Sequence, residues 1–124
     1  MTPAEFRRLA LGLPEAVEGA HMGHADFRVG GRIFATLGHP NDKFAVVMLT
    51  PQDQDLIVRD HPRAFARVAG KWGASGSTTV TLDAVGVRGA SAVAAALEAA
   101  WRKRAPKRLL AATSEPRSPS RSPS

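Results

Sequence analysis

Ala25-Asp-Phe-Arg-Val-Gly-Gly-Arg-Ile-Phe-Ala-Thr-Leu37 holds two runs of alternating apolar and polar residues on either side of the Gly30-Gly31 pair. Alternation at period two, interrupted by paired glycines, specifies a β-hairpin. A three-residue loop with Gly31 or Arg32 in the left-handed region puts Ala25, Phe27 and Val29 on one face with Ile33, Ala35 and Leu37. The other face then carries Asp26, Arg28, Phe34 and Thr36. A two-residue loop would instead set Arg32 and Thr36 beside Phe27 and Val29, because one step of register flips every side chain of the second strand. The longer loop is therefore the expected one.

Outward from the hairpin, Thr2-Pro3-Ala4-Glu5 is a capping box with proline at the first helical position. Phe6, Leu9, Ala10 and Leu13 follow at helical spacing, and Gly12 with Pro14 ends the helix. Val17 to Met22 reads as a strand, and after a turn at Gly38 to Asp42 another runs from Lys43 to Leu49, giving an antiparallel meander. Thr50-Pro51-Gln52-Asp53 repeats the cap and opens a second helix to about Val58, which Asp60-His61-Pro62 terminates. Ala64 to Val68 fits a helical turn or a strand equally well. Beyond the glycine-rich loop Gly70 to Gly76, Thr78 to Leu82 has the β-branched composition of a strand. The final helix takes Ser91 as its cap, Val93, Leu97, Ala100 and Trp101 as its apolar stripe and Pro106 as its limit. The order α-ββββ-α-β-α predicts an α+β domain, a single antiparallel sheet with helices packed on one face.

A chain of 124 residues is one domain's worth. Residues 1–112 are expected to form it, and 113–124 a disordered tail, because Arg117-Ser-Pro-Ser120 and Arg121-Ser-Pro-Ser124 repeat without a large apolar side chain. The absence of cysteine excludes disulfides, thiolate metal sites and a thiol nucleophile. Met1 to Leu13 lacks the continuous apolar core of a signal peptide, and no apolar run is longer than Phe44 to Leu49, which is far too short to span a bilayer. A cytoplasmic monomer that binds no membrane is the expectation.

The net charge of +6 is unevenly placed. Residues 1–101 carry ten basic and ten acidic side chains, whereas 102–124 carry seven basic ones against Glu115 alone. Attraction to phosphate would start there. Two or three cations at a helix carboxy terminus answer the helix dipole, and the remainder exceeds what capping needs.

Other chemistry finds little support. His21, His24 and Asp26 suggest a metal site, but positions 21 and 24 of one strand face opposite ways and leave the ligand set short. His39 and His61 stand beside prolines in turns. Gly70-Lys-Trp-Gly-Ala-Ser-Gly76 places its lysine before the second glycine, unlike a phosphate-binding loop, and Ser75 is followed two positions on by Ser77 where a nucleophile elbow requires a glycine. No catalytic residue, metal or cofactor is expected. Trp72 is open to three settings, a core residue, an exposed stacking platform or a gate over a pocket, of which core is favoured.

Four blocks occur in order: His24-x-Asp-Phe-Arg-Val-Gly-Gly-Arg-Ile-Phe-Ala-Thr-Leu37; Lys43-Phe-Ala-Val-Val47 leading to Thr50-Pro51; Gly70-x-Trp-Gly-x-x-Gly-x-Thr-x-Val-x-Leu82; and Ala100-Trp-Arg-x-x-Ala-Pro-Lys-Arg-Leu109. Together they resemble the MmcQ/YjbR family over roughly residues 3–112. The resemblance implies a domain similar to the frataxin-like fold and a DNA-binding role through a double-wing surface. It brings no catalytic residues. Many members have a Gly-Trp pair before the threonine strand where this chain has Gly76-Ser77. Frataxin's iron chemistry does not carry over either, since the first helix sets Glu5 beside Arg7 and Arg8.

Two functions compete. The first is mainly electrostatic, weakly sequence-specific DNA binding, with Arg102, Lys103, Arg104, Lys107 and Arg108 on phosphates and Arg28, Arg32, Phe34, Lys71 and Trp72 forming a wing and stacking surface. The alternative is a module that holds a small ligand or protein partner on the open sheet face and the Trp72 loop.

Overall fold

A computed structural model of the protein describes residues 1–21, 23–38 and 41–114. Helix α1 (Pro3–Leu11) opens the chain, followed by strands β1 (Val17–His21), β2 (His24–Val29), β3 (Arg32–Leu37) and β4 (Phe44–Met48). Helix α2 (Pro51–Asp60), strand β5 (Phe65–Arg67), helix α3 (Gly70–Ala74) and strand β6 (Ser77–Thr81) come next. A 3-10 turn (Leu82–Ala84), helix α4 (Val87–Arg104) and helix α5 (Lys107–Ser114) complete the order. The strands form one antiparallel sheet in the order β1-β2-β3-β4-β6-β5. The fold is therefore α+β with an open sheet.

Both predicted caps are built. The Thr2 hydroxyl accepts the Glu5 N–H at 3.1 Å while the Glu5 carboxylate accepts the Thr2 N–H at 2.7 Å. Thr50 accepts the Asp53 N–H at 3.1 Å. Each answers an amide that the first helical turn leaves without a backbone acceptor.

The hairpin differs from expectation in an instructive way. Gly30 and Gly31 both adopt positive φ, +59° and +80°, and Val29 pairs with Arg32, so the loop has two residues rather than three. Arg28 pairs with Ile33 but Phe27 pairs with Ala35, which leaves Phe34 as the extra residue of a β-bulge. That bulge restores the register the longer loop would have given: Phe27, Ala35 and Leu37 all face the core. It also turns Phe34 inward, with no exposed surface, correcting its placement on the open face.

Other corrections are local. The Ala64 to Val68 segment yields β5 at the sheet edge, and the glycine-rich loop contains α3. Helix α4 starts at Val87 behind Gly86, not at a Ser91 cap, and α5 follows Pro106. His21 pairs in register with His24 across the β1–β2 turn instead of sharing one strand with it. Met22, the end of the first strand assignment, and His39-Pro40, inside the Gly38 to Asp42 turn, lie outside the described residues, as does 115–124 of the tail.

The core lies between one sheet face and the helices. Phe27, Val29, Ala45, Val47 and Val80 meet Phe6 and Ala10 of α1 and Val93, Leu97, Ala100 and Trp101 of α4. Removing such side chains from water stabilises the fold by about 1.5–3 kcal/mol each. Trp101 keeps its one polar atom satisfied, its Nε1–H donating to the Pro14 carbonyl at 2.9 Å. On the opposite face Gly19, Asp26, Thr36, Val46 and Thr79 lie side by side across five strands.

Candidate functional site

One end of the sheet gathers most of the predicted basic residues. There the hairpin tip abuts the α4–α5 link so closely that a Cβ on Gly30 would come within 2.9 Å of the Pro106 ring. The Leu49 N–H donates to the Gly76 carbonyl at 3.1 Å, and the Leu49 carbonyl accepts the Lys103 ammonium at 2.7 Å. Hairpin, α3 and the end of α4 thus converge. Burial pushes the Lys103 pKa down, and the neighbouring Arg104 and Arg32 push it further in the same direction. Those cations share one positive region. The Arg104 Nε is buried with no protein partner among the described residues.

The eight cations of the predicted set divide by whether an acid already holds them. Arg28 makes a two-pronged bridge to Asp26 at 2.8 and 3.0 Å, Arg108 a similar one to Glu15 at 3.1 and 3.0 Å, and Arg102 bonds Glu98 at 3.2 Å. Glu15 in turn has its pKa lowered and Arg108 its pKa raised by that contact. Arg32, Lys71, Lys103, Arg104 and Lys107 have no carboxylate within ion-pair distance among the described residues. Of the predicted set, the positive charges available to a ligand are therefore these five.

Lys107 and Arg108 stand in the first turn of α5, which holds no acid. Cations there oppose the positive end of the helix dipole, costing a few tenths of a kcal/mol each. At the end of α4 the dipole favours Arg102, Lys103 and Arg104, whereas in α5 Arg108 has its bridge to Glu15 and Lys107 has neither dipole nor acid to answer it.

The two predicted aromatics part company. Phe34 is sealed in the core and cannot stack on a ligand without unfolding its strand. Trp72 is 76% exposed, against the expectation of a core position. Its helix turns the other way: Gly73 is the buried residue, so close to Val68 that a Cβ would collide with its carbonyl. The Gln54 amide, itself buried, donates to the Gly73 carbonyl at 2.9 Å, the Ser77 carbonyl at 3.0 Å and the Thr78 hydroxyl at 3.2 Å. These contacts fix α3 against α2 and β6.

Arg28 also leaves the predicted set in physical terms. Asp26 is fully buried on the otherwise open sheet face, under Arg28 and against Gly19, where a Cβ would come within 2.9 Å of the carboxylate. Its guanidinium is the carboxylate's cover.

A feature absent from the sequence reading is a cleft of about 720 Å³ between the end of α2 and the start of α4, its lining including Asp60, His61, Arg63, Gly86, Val87 and Arg88. Its two arginines are 25 positions apart in the chain, and no local motif joins them. Among the described residues no group of three or more acids and histidines is placed to hold a metal ion, and no helix is long and apolar enough to cross a membrane.

A family model described as YjbR matches residues 11–103. No match is found among curated proteins. Among solved structures, the crystal structure of the Deinococcus radiodurans protein DR2400, with the family-model domain DUF419, superposes with a TM-score of 0.64 at 21% identity. The match covers 81% of this chain and 75% of that one, and at such identity it speaks for the fold.

Proposed function

The chain belongs to the YjbR family, and from that premise we propose that it is a non-enzymatic, monomeric DNA-binding protein of the cytoplasm, gripping phosphates with little regard to sequence. The observation that carries this reading is the convergence of Arg32, Lys103 and Arg104, unpaired with acids among the described residues, at the sheet end that also bears Lys71 and Trp72. Burial, Arg104 and Arg32 all disfavour the charge on Lys103, so holding these cations together costs free energy that a bound anion would offset. Lys107 borders that region along the chain and extends its positive charge, while Arg102 and Arg108 beside it are held by Glu98 and Glu15.

Fluorescence anisotropy of the full chain on labelled DNA across a salt series tests the proposal. Each phosphate contact contributes a slope of roughly −0.9 to log K against log salt on duplex DNA, so four or so contacts give about −3 to −4. Arg32→Glu with Lys71→Glu should flatten that slope. Binding indifferent to salt, or none at low salt, sinks the proposal.

A second reading, a small anionic ligand, is favoured by the cleft between His61, Arg63 and Arg88 rather than by the open sheet face, which has lost Phe34 to the core. Thermal-shift measurements with inorganic phosphate and simple phosphate esters, on wild type and Arg63→Ala, check it. A shift that survives Arg63→Ala removes this reading.

A further inference from the structure

We propose that Trp72 is a stacking platform for an unpaired base, so that the nucleic acid this protein takes is single-stranded. The inference rests on the DNA-binding reading above and narrows it to one substrate class. Of the chain's seven aromatic side chains, Phe6, Phe27, Phe34, Phe65 and Trp101 are buried and Phe44 is half-buried, whereas Trp72 alone among the described residues stands exposed. A large ring left in water gains nothing for the fold.

The backbone that carries the ring is also held in place. Gln54 ties down Gly73 on one side of it, the Ser75 hydroxyl donates to the Lys71 and Trp72 carbonyls at 3.1 and 3.0 Å, and Gly76 packs directly on the Leu49 backbone. No mobile loop tip needs such anchoring. A platform fixed before the ligand arrives loses little freedom on binding.

Its neighbours suit a nucleotide. Lys71 precedes Trp72 in α3, and one backbone contact away the Leu49 carbonyl carries the Lys103 ammonium, with Arg104 and Arg32 close enough to depress its protonation. Cations on α3 and at the helix end tied to it match the phosphates on either side of a stacked base. Such stacking tolerates any base, and duplex bases offer no free face to it. An indole has a single hydrogen-bond donor, so it is poorly equipped to read base edges in a groove.

The test uses the full chain, an oligothymidylate of about 12 nucleotides, within the site-size range of small single-strand binding folds, and a duplex of matching length. Trp101, 1% exposed, serves as an internal reference, so quenching on binding reports Trp72. Expected are quenching by the single strand, a roughly 5- to 150-fold loss of single-strand affinity for Trp72→Ala, and a duplex affinity that Trp72→Ala leaves within about twofold. Trp72→Phe should keep most of the affinity and Trp72→Leu should not, because the effect belongs to the π-face. Equal binding of both nucleic acids, without quenching and with Trp72→Ala harmless, overturns this inference while the electrostatic reading stands. If neither nucleic acid binds at low salt, both fall.

Discussion

The Lys103 ammonium reaches across 54 positions of sequence to the Leu49 carbonyl, tying the last turn of α4 to the chain leaving β4. The folded state disfavours its charge through burial, then through Arg104 and Arg32. Between the lowered folded pKa and the usual value of 10.5 the unfolded chain binds more protons than the folded one, so stability rises with pH in that interval. Lys103→Met lacks this titration. Its melting temperature should therefore gain less than wild type's on raising the pH toward 10.5, as followed by calorimetry; a wild-type curve that falls relative to the variant reverses the sign.

Glu15 occupies the left-handed region at φ +56° and holds Arg108 with both oxygens. Its lowered pKa contributes stability above 4.5 that is lost as pH falls through the folded value. Glu15→Gln should accordingly lose less stability on acidification below that point. The same substitution releases Arg108, so DNA affinity should increase and the salt slope steepen by roughly 0.9. An unchanged slope would mean that Arg108 does not lie in the binding surface.

Arg28 was legible as a surface cation and functions as a lid over a buried carboxylate. Arg28→Ala removes the two-pronged partner of Asp26, and a buried group losing such bonds costs about 1–3 kcal/mol. Urea denaturation should show that loss. DNA affinity, measured where the variant is folded, should stay within about twofold of wild type, less than the loss expected from deleting a direct phosphate contact.

Legibility in the sequence followed the range of the interaction. Thr2-x-x-Glu5 and Thr50-Pro51 were readable because a cap is closed by residues three apart. The meander was readable from strand alternation and from Gly30-Gly31. The bulge at Phe34 was not, because Phe34 and Ala35 both face inward and leave no polar residue to mark the slip. Its cost was a misplaced aromatic in the candidate site. The basic cluster at 102–108 was plain in the sequence, but which cations are free depends on Glu15 and Asp26, and the Arg108–Glu15 pair spans 93 positions. The exposure of Trp72 is not legible, because ring size favours burial, whereas here the close backbone approach belongs to Gly73 beside it.

Gln54 is the single side chain on which the position of α3 most depends, since its buried amide serves Gly73, Ser77 and Thr78 at once. Gln54→Ala leaves those acceptors facing a small void, at a cost of about 1–3 kcal/mol. Gln54→Glu is worse, because at neutral pH it turns a carboxylate toward two carbonyl oxygens. Gly76→Ala strikes the same junction from the other side: Gly76 has φ +117° and its Cα faces the Leu49 carbonyl, so a methyl group has neither the backbone conformation nor the space. All three substitutions should lower the urea midpoint. Only if α3 presents Trp72 as a fixed platform should Gln54→Ala, still folded at low urea, also make Trp72 more accessible to acrylamide while the buried Trp101 stays protected. An accessibility that does not change with a lowered midpoint would show that α3 holds its place by other contacts.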